Sequence, residues 1–119
     1  DRAVSRVKKR QPEEILLNLP DGIKRLKVDR IHYVEVQNRM LHYHTEDGIC
    51  VVRGTLQGAE ETLKESHFVR CNHWYLVNLQ YVWEIRKNIV IVAGDELEIS
   101  RRNKTAFLSE LTDYMGMGT

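Results

Sequence analysis

The chain has 119 residues, of which 42% are hydrophobic and 29% charged, and a formal net charge of +1 at pH 7. That length supports one core and one domain, and that composition excludes a disordered chain. A nearly balanced charge means that a nucleic-acid partner has to be argued from where the cations sit rather than from their number.

In chain order, the opening "DRAVSRVKKR" sets Ala3, Val4 and Val7 on one helical face, with Arg2, Arg6, Lys8, Lys9 and Arg10 around it. Residues 1–12 read as the end of a preceding helix with a linker, or as a solvated arm, and residues 13–119 as the domain. "EILLNL" and "KRLKV" flank Pro20-Asp21-Gly22, a hairpin signal. "IHYVEVQ" and "MLHYHT" are joined by Asn38-Arg39, and "ICVVR" follows Glu46-Asp47-Gly48. Thr55 is a plausible N-cap for a helix carrying Leu56, Ala59 and Leu63 on one face, although Gly58 costs about 1 kcal/mol there.

"FVRCNHWYLVN" then encloses a polar cluster between apolar anchors. "YVWEIR", "IVIVA" and "ELEIS" form a meander with turns at Lys87-Asn88 and Gly94-Asp95. Leu97 and Ile99 alternate with Glu96, Glu98 and Ser100, so the last strand has one wet face. From a Ser100 cap, a second helix runs through Phe107, Leu108, Leu111 and Met115. The helices do not alternate with the strands, so the expected fold is mainly β, with antiparallel sheets and two packed helices. The longest aliphatic run, Ile89 to Ala93, is far below the roughly 20 apolar residues of a spanning helix. No secretory leader opens the chain, and the two cysteines, Cys50 and Cys71, make no disulfide scaffold, so a cytoplasmic protein is expected.

"SRRNK" puts Arg101, Arg102 and Lys104 in the first turn of the second helix, where the macrodipole disfavours each cation by roughly 0.3 to 1 kcal/mol. The arrangement makes sense if an anion docks there; the plainer reading is a solvent-exposed basic turn. Arg102 also has the planar fork that fits guanine O6 and N7. Arg70, Asn72 and His73 carry donors for phosphates or base edges, Asn38 and Arg39 form a second polar finger, and Arg53 offers another phosphate contact. Most hairpin tips are polar for no special reason, so the weight comes from three non-acidic loops on one chain.

"FVRCNHWYLVNLQYVWEI" followed by "VIVAGDELEISRRNKTAFLSEL" resembles the core signature of the LytTR family of bacterial DNA-binding domains. Phe68, Arg70, Tyr75, Val77 and Asn78 fall in its first block and Leu97, Ile99, Ser100 and Arg102 in its second. The likeness runs from about Leu26 to Leu111. The resemblance implies an elongated assembly of small antiparallel sheets with two short helices, whose loops enter successive major grooves of double-stranded DNA. By position, the contacting loops fall on Asn38 and Arg39, on Asn72 and His73, and on Arg102. It also implies a receiver domain in cis, a sensor histidine kinase upstream, dimerisation on promoter direct repeats, and regulation of transcription. Where many members have histidine, then arginine or asparagine, then serine, this chain has Asn72-His73-Trp74.

Rival readings are thinner. His42 and His44 share a strand face and Cys71 lies two residues from His73, but no C-x2-C, H-E-x-x-H or third ligand completes a metal site. Cys71 with His73 lacks the third group of a nucleophilic triad, and there is no P-loop, so neither an enzyme nor a cofactor is expected. The stronger alternative is a β-rich protein-interaction module without DNA binding, in which Trp74 and Trp83 would be hot-spot aromatics, although aromatics at strand spacing are more often core.

Overall fold

The computed structural model describes residues 14–117. The helix end and linker expected at positions 1–12 lie outside them. Two antiparallel strands, β1 (Glu14–Leu19) and β2 (Gly22–Lys27), close around Pro20-Asp21 and bury Ile15, Leu17 and Leu26 from one face. Strands β3 (Ile31–Gln37), β4 (Met40–Thr45), β5 (Gly48–Arg53), β6 (Phe68–Asn72) and β7 (Tyr75–Asn78) form a five-stranded antiparallel sheet in the order β5-β4-β3-β7-β6. A third sheet, in the order β10-β9-β8, joins β8 (Val82–Arg86), β9 (Ile89–Val92) and β10 (Asp95–Glu98).

Turn chemistry sets these hairpins. Asn38 and Arg39 both take positive φ, 52° and 66°, the combination whose twist matches the two strands it connects. The β9–β10 turn falls on Ala93-Gly94, with φ 50° and 91°, one residue earlier than expected from sequence, because Asp95 already pairs with Val92. Thr55 caps α1 (Leu56–Leu63) by accepting the Gly58 N–H at 3.0 Å. Ser100 caps α2 (Arg101–Met117) by accepting the Asn103 N–H at 3.2 Å.

The central sheet has a core on each face. One face buries Val34, Leu41, Tyr43, Val52, Phe68 and Leu76 against the β1–β2 hairpin and the Leu56, Ala59 and Leu63 stripe of α1. The other buries Tyr33, Cys71 and Val77 against Val90, Val92, Leu97, Ile99 and the fully buried Phe107 of α2. Asn78 ties the layers, donating to the Ile31 carbonyl at 2.8 Å and accepting from Gln80 N–H at 3.0 Å. The resulting slab measures 46 × 42 × 23 Å. No helix among the described residues is long and apolar enough to cross a membrane.

Both tryptophans depart from the core expectation. Trp74 is 56% exposed in the β6–β7 turn and Trp83 is 79% exposed on β8. Trp83 sits where the β8–β9 register shifts between Val82 and Glu84, and such a bulge re-aims a side chain to solvent.

Candidate nucleic-acid interface

Antiparallel pairing collects the singled-out loops at one end of the central sheet. Because Gln37 pairs with Met40 and Met40 with Arg53, the Asn38-Arg39 tip and the end of β5 lie together, and Gly54 N–H donates to the Arg39 carbonyl at 3.2 Å. Because Glu35 pairs with Tyr75, the His73-Trp74 turn lies at the same end, and Val36 N–H donates to the Trp74 carbonyl at 3.0 Å. The start of α2 joins them through Ser100 N–H to the Cys71 carbonyl at 2.9 Å, and the β8–β9 turn through Ile99 N–H to the Asn88 carbonyl at 2.7 Å. His73 and Arg102 therefore sit on one continuous, hydrogen-bonded edge.

The described arginines divide by ion pairing. Arg25 pairs with Glu14, Arg30 with Asp47, Arg70 with Glu60, and Arg86 with Glu84 and Glu96. Arg39, Arg53, Arg101 and Arg102 are exposed and have no carboxylate partner among the described residues. The opposite end of the sheet carries Glu46 and Asp47, where His32 lies 3.3 Å from Glu46 and Arg30 holds Asp47 through two nitrogens at 3.2 and 3.1 Å. Lys104 donates to Asn88 Oδ1 at 3.0 Å, and these two residues line a 440 Å³ pocket with Arg101, Ile99 and Glu98. Sequence reading did not single out Asn88; its signal was the turn residue pair Lys87-Asn88.

Two of the sequence candidates point elsewhere. Asn72 is 5% exposed, donating through Nδ2 to the Glu98 carbonyl at 2.7 Å and accepting the Trp74 N–H on Oδ1 at 2.7 Å. Its amide is spent on locking the β6–β7 turn to β10, whereas the next residue, His73, is exposed with its ring edge-on to Trp74 at 5.7 Å. Arg70 is partly buried, its Nε donating to Glu60 Oε1 of α1 at 3.0 Å.

A polar network supports the hairpin tip from below. Glu35 accepts from Gln37 Nε2 at 2.7 Å and lies 3.1 Å from His44 Nε2, and Tyr33 stacks on His44 at 4.2 Å while donating to Asp95 at 3.0 Å. Burial alone would raise the Glu35 pKa, but the hydrogen bonds from Gln37 and His44 and the nearby His42 outweigh it and hold the carboxyl below its ordinary value. Burial pushes the Cys71 thiol up to about 12, which makes it a poor nucleophile. Among the described residues no group of three or more His, Cys, Asp or Glu could hold a metal ion.

Residues 21–112 match the LytTr DNA-binding domain family. The fold is similar to a solved LytTr DNA-binding domain from Bacillus cereus, described as part of a methyl-accepting/DNA response regulator, with a TM-score of 0.69 and 20% identity over 84% of this chain and 97% of that one. No curated protein sequence matches the chain.

Proposed function

This chain belongs to the LytTr DNA-binding domain family, and from that premise we propose that it binds double-stranded DNA sequence-specifically, as the output domain of a two-component transcriptional regulator. The Asn38-Arg39 tip, the His73-Trp74 turn and the start of α2 enter successive major grooves on one side of the duplex. The three turns share one edge of a slab measuring 46 × 42 × 23 Å, and successive major grooves lie roughly 34 Å apart, within the slab's two longer dimensions. In this reading His73 and Arg102 meet base edges, with Arg102 suited to the O6 and N7 acceptors of guanine. Asn38 and Arg39 form the second reading finger, and Arg53, Arg101 and Lys104 hold phosphates, with the dipole of α2 adding to their attraction. Asn72 and Arg70 hold the reading turn in place.

The observation that carries the proposal is the segregation of the described arginines: Arg25, Arg30 and Arg70 are neutralised by carboxylates, as is Arg86 beside the β8–β9 turn, whereas Arg39, Arg53, Arg101 and Arg102 on the loop edge are not. Unpaired guanidinium groups converging from separate turns repel one another unless an anion lies between them. A receiver domain in cis, a sensor kinase upstream and dimerisation on promoter direct repeats complete the proposed context, with the DNA target in the cytoplasm. Selection from random duplexes tests it: enrichment of one sequence that the domain then binds over random DNA supports the reading, and no duplex binding at low salt overturns it. In that event the 79% exposure of Trp83 favours the protein-interaction module.

A further inference from the structure

We propose that Trp74 is itself a sequence-reading contact, its indole covering the 5-methyl group of a thymine in the major groove, within one base step of the base that His73 reaches. The inference rests on the duplex-binding reading above and adds to it a residue and a base.

Trp74 is 56% exposed at the middle of the loop edge. An aromatic ring of that size on a mobile loop would fold back onto apolar surface to leave water. Here the turn's backbone is anchored: the Trp74 N–H is held by Asn72 Oδ1 at 2.7 Å and the Trp74 carbonyl by Val36 N–H at 3.0 Å. Asn72 is in turn fixed to the Glu98 carbonyl at 2.7 Å, so three strands fix the turn from which the ring projects. Ordering a contact loop is normally a cost of binding, and the backbone of this turn is ordered before any partner arrives.

The surroundings select the partner. Trp74 stands between Arg39 on the neighbouring hairpin and Arg101 and Arg102 on α2, all without carboxylate partners, so a polyanion seated on these cations lies against the indole. In the major groove of B-DNA the thymine methyl is the apolar feature among hydrogen-bonding edges, and an indole face presents apolar surface to match it. Indole Nε1–H can only donate, so it suits the acceptor edges beside that methyl. His73 lies edge-on at 86° to the Trp74 ring, with centroids 5.7 Å apart, so the two rings present themselves side by side on the turn. The two neighbours thus divide the work, His73 by hydrogen bonding and Trp74 by apolar cover.

The test uses the duplex that the domain selects from a random pool, with each thymine replaced in turn by uracil, which lacks only the methyl. One position is expected to lose about fourfold in affinity, the value of one buried methyl group, in the wild type and nothing in Trp74→Ala. Trp74→Ala itself should lose at least tenfold, Trp74→Phe should retain uracil sensitivity, and thermal unfolding should be unchanged in both. In the Trp83→Phe protein, Trp74 is the one remaining tryptophan, and its emission should change saturably with added duplex. No duplex binding at all removes the functional reading and this inference with it. Tight, selective binding with no uracil-sensitive position, or with one that stays sensitive in Trp74→Ala, overturns the inference alone.

Discussion

Replacing Asn72 separates a locking residue from a reading one. In Asn72→Ala the 2.7 Å bond to the Glu98 carbonyl disappears and the Trp74 N–H loses its 2.7 Å acceptor inside a tight turn. A net side-chain hydrogen bond contributes about 1 kcal/mol and an abandoned, partly buried donor costs about 1 to 3 kcal/mol, so the loss is about 2 to 4 kcal/mol. Domains of this size are stable by only about 5 to 15 kcal/mol, so the change is large. With a urea slope near 1.5 to 2 kcal/mol per molar, the unfolding midpoint should fall by about 1 to 2.7 M. Asn72→Asp keeps the acceptor for Trp74 but offers no N–H to Glu98 and sets a negative charge against its carbonyl, so it should also destabilise. His73→Ala, truncating an exposed ring, should stay within about 0.5 kcal/mol of wild type. The DNA consequences should differ in kind: Asn72→Ala, which frees the turn carrying His73 and Trp74, should lose discrimination together with stability, whereas His73→Ala should lower discrimination at wild-type stability. An Asn72→Ala protein of wild-type stability that had lost sequence discrimination would refute the reasoning.

Phe107→Ala should cost about 3 to 5 kcal/mol in urea unfolding, because that fully buried ring fastens α2 to the second core, while Phe107→Leu should lose much less. The Glu35 carboxyl, held below its ordinary value in the folded protein, contributes stability above its unfolded pKa of about 4.3 and loses it as pH falls through the lower folded value. Stability measured from neutral to acid pH should therefore drop less steeply in Glu35→Gln, and an identical acid limb in both proteins would show that the network does not act. Arg102→Ala should relax base preference by about 1 to 3 kcal/mol in competition against random duplex, whereas Arg101→Ala or Lys104→Ala weakens all sequences alike. Equal losses on specific and random DNA for Arg102→Ala would remove it from the base readers.

Local chemistry was legible in the sequence and non-local pairing was not. Thr55 and Ser100 act as caps, Pro20-Asp21 and Asn38-Arg39 as two-residue turns, and Leu97 and Ile99 bury while Glu96 and Glu98 stay wet. Each depends on neighbours within a few residues. The two-core layering depends on β7 returning from beyond α1 to pair with β3, a contact that no local pattern announces. The inward turn of Asn72 was hidden because the β6–β7 register shifts between Arg70 and Asn72, which breaks the two-residue periodicity by which faces are assigned. The same irregularity in β8 hid the exposure of Trp83.

The salt dependence of duplex binding, compared between arginines on the loop edge and those elsewhere, tests the central claim most directly. If Arg53, Arg101 and Lys104 each neutralise one phosphate, log K falls with log salt at a slope of about −2.7, about 40-fold between 50 and 200 mM. Removing Arg53 and Arg101 together should make that slope shallower by about 1.8, and removing the carboxylate-paired Arg25 and Arg30 should leave it unchanged. A slope that ignores the loop-edge pair and responds to Arg25 and Arg30 would contradict the account.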